Sequence, residues 1–171
     1  LEERLYRDFE GLPEEAKTLA MMMAVIAKPV TVSNASAIYD GQNLKGALLM
    51  LQRRGIVKFN MSEGTYSFTR PITGGIIYRR MPPDIRALCH DRAIAFPGLT
   101  HDEQLYHTGR GSNADRARAA MDELISRQIK ALMNHEAIQN VLYYLERWND
   151  PAMKLNLAKL YNRTGRYEQA I

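Results

Sequence analysis

Residues 68–90 read FTRPITGGIIYRRMPPDIRALCH: an apolar run, a Pro-Pro pair and a Cys-His pair placed directly behind what reads as a β-hairpin. Three readings compete for this stretch: a metal site, a catalytic cysteine with its base, or architecture. Adjacent residues on a helix point about 100° apart, so Cys89 and His90 do not meet as nucleophile and base, and no orienting third group stands nearby. A structural zinc site needs several Cys and His at paired spacings. Cys89 is the single cysteine of the chain, and His90, His101 and His107 form no i, i+4 pair. Architecture remains. Pro82-Pro83 stops one helix and starts the next, proline being favoured in a first helical turn. Ile76, Ile77 and Leu88 are then expected to pack the underside of a domain, with Cys89 buried and His90 half-buried.

Upstream, residues 1–10 space Leu5 and Phe9 as a short amphipathic helix. GLPEEAKTLAMMMAVIAK (residues 11–28) gives a stronger start, with Pro13 and two acids in the first turn ahead of an apolar body. Leu19, Met22, Met23 and Ile26 share one face, widened by Met21 and Val25, and the stretch reads as a buried helix with soft packing. Pro29 ends it. An extended piece follows, then a brief helix capped by Ser33 or Asn34 and closing near Gly41. QNLKGALLMLQRRG (residues 42–55) carries Leu44, Ala47, Leu48 and Leu51 at helical spacing and ends at Gly55. IVKFN, MSEG and TYSFT then read as strand, tight turn and strand. Helix, short strand, helix, helix and hairpin is the element order of a winged-helix domain, with residues 42–55 as recognition helix and MSEG as the wing tip.

From Pro97 onward no strand signal occurs. Ala117, Met121, Leu124, Ile125 and Ile129 line one helical face; Ile138, Leu142 and Leu145 line another. Gly109, Gly111, Ser112 and Asn113 make a connection that lacks the preceding strand and the Gly-Lys-Ser/Thr of a phosphate-binding loop. In PAMKLNLAKLYNRTGRYEQAI (residues 151–171), Leu157, Ala158, Tyr161, Gly165, Tyr167 and Ala170 have tetratricopeptide-repeat spacing. The expected organisation is a winged-helix domain with trailing helices over residues 1–98 and an α-helical repeat region, the start of a longer solenoid, over residues 99–171. The fold class is mainly α with a small β-hairpin.

The chain carries a net charge of +4, and the charge is spread evenly. Residues 1–98 hold 13 Lys/Arg against 10 Asp/Glu, and residues 99–171 hold 10 against 9. A nucleic-acid binder shows a denser basic stripe. One cysteine excludes an internal disulfide framework and suits a cytoplasmic setting. The longest apolar run, Leu19–Ala27, is too short to span a bilayer. The start at Leu1 and the end inside a repeat-like pattern read as a fragment of a longer protein.

Phe68 to His90 resembles the end of the winged-helix domain in STAND-class signal-transduction ATPases and large ATP-dependent transcriptional regulators with helical-repeat sensors. Their Phe-x-His-Pro-Leu turn, Tyr-x-x-Leu-Pro-Pro helix end and x-x-Arg-x-x-Leu-His helix start align without gaps. The matching residues are Phe68, Arg70, Pro71 and Ile72; Tyr78, Met81, Pro82 and Pro83; and Arg86, Cys89 and His90. LPEEAKTLAMMMAVIAKPV and LLMLQRRGIVKF resemble the same domain's first and third helices. The resemblance spans roughly Leu12 to Phe96. It implies a non-catalytic relay between a nucleotide-binding module, absent from these residues, and a helical sensor for a protein or small inducer. ATP or ADP would bind the longer parent, not this part. Where many members place a histidine on the β-phosphate of ADP, this chain has Arg70, which can also hold a phosphate. Gly74 and Gly75 are unusual inside the expected helix; either it starts near Ile76 or its backbone lies close to something.

Two binding surfaces follow. For DNA, the alternative reading of a winged-helix transcription regulator, the candidates are Gln42, Asn43, Lys45, Arg53 and Arg54 on the third helix. Against it, Gly46, Leu49 and Met50 face the same way and the wing carries an acid and no base. For a partner on the helical region, the candidates are Tyr143, Tyr144, Trp148 and Tyr161. No acid–base pair stands out for catalysis, and no membrane contact is expected.

Overall fold

In the computed structural model, which describes residues 1–166 and 169–170, the chain is mainly helical with one two-stranded antiparallel sheet. In chain order the elements are α1 (Glu2–Glu10), α2 (Glu14–Ile26), α3 (Val32–Ile38), α4 (Leu44–Arg53), β1 (Val57–Asn60), β2 (Thr65–Phe68), α5 (Pro71–Arg80), α6 (Pro83–Ala93), α7 (His101–Gly109), α8 (Ala114–Lys130), α9 (Asn134–Arg147) and α10 (Pro151–Arg163). Two compact units emerge: Leu1–Thr100 with Arg110–Ser112, and His101–Gly109 with Asn113–Ile171. None of the described helices is long and apolar enough to cross a membrane.

The first unit is built on α2. Its apolar residues exceed one face, and Leu19, Met22, Met23, Val25 and Ile26 are all buried as α4, α5 and α6 pack around it. Burial of such side chains is worth about 1.5–3 kcal/mol each. The helix ends at Ala27, which turns left-handed at φ 53° and donates its N–H to Met23 O at 3.0 Å; Pro29 follows. Val30 then bridges Tyr66 through two backbone hydrogen bonds of 2.9 and 2.7 Å, so the extended piece leans on the hairpin. That contact fixes where α3 starts. Its cap is Thr31, whose hydroxyl accepts from Asn34 N at 3.0 Å, rather than Ser33 or Asn34.

The hairpin pairs Val57 with Phe68 and Asn60 with Thr65, turning over Met61–Gly64. Gly64 there takes φ 65°, where a Cβ is strained. Residues 71–93 form a corner between two helices. Pro71 and Pro83 each occupy a first helical turn. Arg86 Nη2 donates to the carbonyls of Met81 (2.8 Å) and Arg79 (3.2 Å), satisfying acceptors that the end of α5 leaves open, and its guanidinium lies 4.9 Å from the Tyr78 ring centre. Ile76, Ile77 and Cys89 are buried as expected, but Leu88 is 51% exposed and His90 is fully buried. His90 Nε2 lies 2.9 Å from the Tyr78 hydroxyl, a partner that lets an imidazole replace a leucine inside.

In the second unit each helix packs on the next: α7 on α8, α8 on α9, α9 on α10. The inward face of α8 is the expected one, with Ile129 half-buried. That of α9 is rotated. Ala137, Ile138, Asn140, Val141 and Tyr144 are buried, Leu145 is half-buried, and Leu142 is 42% exposed. The Asn140 amide donates to Gln128 Oε1 at 2.9 Å inside this core, which no count of apolar residues foresees. Of the repeat-spaced residues, Tyr161 is buried, Leu157 and Ala158 are half-buried and Gly165 takes φ 75°; Tyr167 lies outside the described residues.

Candidate functional site

Arg70 is the N-cap residue of α5, in extended backbone (φ −116°, ψ 118°). Thr69 N donates to Ile56 O at 2.9 Å, pinning this segment to the corner between α4 and β1. Gly55 (φ 68°) makes that corner and brings Arg54, the C-cap residue of α4, to the same place. Arg4, one helical turn before Asp8 on α1, supplies the third side. The result is a cavity of about 220 Å³ lined by Arg4, Asp8, Arg54, Arg70 and Thr73, with Leu5 and Ile56 as its apolar wall. Among the described residues none of the three guanidiniums forms an ion pair or side-chain hydrogen bond. The two acids of the first turn of α1 pair elsewhere: Glu2 with Arg79 at 3.2 Å and Glu3 with Arg80. That bond to Arg80 is what chiefly holds the Glu3 carboxyl below its ordinary range. Sequence reading singles out Arg70, places Arg54 among DNA-facing residues and passes over Arg4, since nothing local marks a residue that only tertiary packing brings to a cavity.

The DNA candidates divide. All five are exposed, but Asn43 Oδ1 accepts from Gly46 N at 2.9 Å as the cap of α4, and Arg54 also lines the cavity. Leu49, on the same helix, is 46% exposed. At the hairpin tip, Asn60 Oδ1 accepts from Ser62 N and Oγ, while Met61 is 88% exposed.

In the second unit Tyr144 is fully buried and Tyr161 nearly so; Tyr143 and Trp148 are half-buried. Of the four partner candidates, only those two reach the surface. Arg147 lies 4.7 Å from the Trp148 ring centre and 5.8 Å from that of Tyr143, a cation–π arrangement. Beneath them the Tyr144 hydroxyl donates to Asp150 Oδ2 at 3.1 Å and accepts from Arg118 Nε at 2.9 Å. Burial pushes the Tyr144 phenol up. Asp150 also caps α10, accepting from Ala152 N and Met153 N. The Met153 N–H first, with Tyr144, Ala152 and Arg118, holds its carboxyl below the ordinary aspartate range. A carboxyl lowered on folding stabilises above its unfolded pKa and loses that contribution as pH falls through the folded value. Asp150→Ala therefore lowers the second unit's urea midpoint at neutral pH, and the gap from wild type closes on acidification. Trp148, the single tryptophan, reports it by fluorescence.

Burial pushes the Cys89 thiol up, the opposite of what a nucleophilic thiolate needs. Among the described residues no three His, Cys, Asp or Glu side chains are grouped to hold a metal. Comparison with models of known families, with curated proteins and with solved structures finds no match.

Proposed function

We propose that this chain is a non-catalytic regulatory relay: its first unit, read as a winged helix, docks on a nucleotide-binding module, and its second, read as the start of a tetratricopeptide-like sensor, takes a partner or inducer. The observation that carries the reading is Arg70, an unpaired guanidinium held at the lip of a cavity by the base of the hairpin. A cation so placed suits a nucleotide phosphate presented by another module. Nucleotide state then biases docking from one side and the inducer from the other, a coupling between two sites. The half-buried Tyr143 and Trp148 are the aromatic residues offered to that second ligand. The reading belongs to a cytoplasmic signalling protein in which ATP or ADP binds outside these residues.

In the longer polypeptide this reading requires, Arg70→Ala raises basal activation and ATP turnover, because the contact that holds the resting state is gone. Unchanged turnover and activation would remove Arg70 from the mechanism. The DNA-binding alternative is tested on the chain itself. With Glu63 and no base on the turn Met61–Gly64, the hairpin tip forgoes phosphate contacts, so no duplex binding is expected even at low salt. Salt-sensitive binding abolished by Lys45→Glu/Arg53→Glu would instead make α4 the functional surface.

A further inference from the structure

We infer that the cavity beside Arg70 is an oxyanion site in its own right, taking a terminal phosphoryl group between Arg4, Arg54 and Arg70; the inference deepens the reading of Arg70 as a phosphate contact and rests on it. Three stretches far apart in sequence each bring an exposed arginine to the wall of one cavity. Like charges gathered at one place repel, weakly where water screens them, and an anion between them turns the repulsion into attraction. Elsewhere in this unit arginines meet acids: Arg79 with Glu2, Arg80 with Glu3, Arg92 with Asp40. Here Glu2 and Glu3 of α1 are taken by those other arginines, and Arg4 forms no ion pair within 4.0 Å among the described residues, Asp8 being the one carboxylate on the cavity wall. The lining thus carries an excess of two positive charges, matching the roughly −1.5 to −2 of a phosphate monoester at neutral pH.

Size and polarity agree. Whole small molecules occupy pockets of about 300–1,000 Å³; a cavity of about 220 Å³ fits an anionic head group and leaves the rest of a ligand outside. Thr73, only 4% exposed, lines the cavity, and its hydroxyl has no hydrogen-bond partner among the described residues. The hydroxyl is therefore free to donate to an anion in the cavity. The positive end of α5 opens at the same place. Phosphate oxygens would accept from the three guanidiniums and from Thr73.

The test is calorimetric titration of the 171-residue chain with inorganic phosphate, ADP and adenosine at constant ionic strength. Phosphate and ADP are expected to bind and adenosine not to. Arg4→Gln and Arg54→Gln each weaken binding about tenfold, the loss of one charge-assisted hydrogen bond. Lys58→Gln, a base off the lining, leaves it unchanged. ADP binding more tightly than phosphate assigns the group to a nucleotide; equal affinities assign free phosphate. Absence of binding by both anions, or binding indifferent to Arg4→Gln and Arg54→Gln, overturns the site. The relay fails separately: these titrations succeed while Arg70→Ala in the longer polypeptide changes neither turnover nor activation.

Discussion

Tyr144→Ala lowers the stability of the second unit by about 3–5 kcal/mol, the cost of deleting a fully buried aromatic ring. The ring lies in the core that Met121, Ile125, Ile138, Val141 and Leu160 share, 4.9 Å centre to centre from Trp148. Its hydroxyl joins Arg118 on α8 to Asp150 at the start of α10, so one side chain ties three helices together. Tyr144→Phe separates the two contributions. It keeps the packing and removes the hydroxyl, and its cost is about 1 kcal/mol. Urea unfolding followed at Trp148 measures both. A Tyr144→Ala cost no larger than that of Tyr144→Phe would mean that the ring is not the packing centre the burial describes. Partner binding by Tyr143 and Trp148 is then best probed by changing those residues and leaving Tyr144 intact.

The elements themselves were legible because their signals are local. Proline in first turns, Gly55 and Gly64 at reversals, and leucines at helical spacing all act within a few residues. What escaped was decided across the fold. Leu88 and His90 exchanged places because the Tyr78 hydroxyl that meets His90 comes from another helix, where no periodicity reaches. The face of α9 rotated toward Asn140 and Tyr144 because Gln128, Arg118 and Asp150 satisfy their polar atoms; an apolar pattern ranks both residues below Leu142. Ser33, Asn34 and Thr31 are chemically similar caps, and only the pairing of Val30 with Tyr66 selects Thr31. The candidate site follows the same division. Arg70 is marked by its position in a motif-like turn, whereas Arg4 is an ordinary charge on an amphipathic helix until α1 is placed.

Gly74 and Gly75 adjoin in the sequence, and their substitution is expected to move stability in opposite directions. Both lie inside α5, which begins at Pro71, so the helix does not start later to avoid them. An ideal Cβ on Gly74 falls 2.9 Å and 3.0 Å from ring atoms of Phe68 and 3.9 Å from Ala24 Cα. Phe68 pairs with Val57 in the hairpin and packs half-buried against the core, so a new Cβ pushes its ring out of that contact. Gly74→Val places a branched side chain where α5 meets both α2 and the hairpin, and overpacking of this kind costs about 1–3 kcal/mol. On Gly75 the same ideal Cβ meets only Arg79 Nη1, at 3.5 Å, and the position is exposed. Gly75→Ala gains the helix propensity of alanine without a clash, about 0.5–1 kcal/mol. Far-UV circular dichroism in urea reads the first unit through its helices. If Gly74→Val were neutral while Gly75→Ala stabilised, Phe68 would have space to shift and the close approach of α5 would not be what requires glycine there.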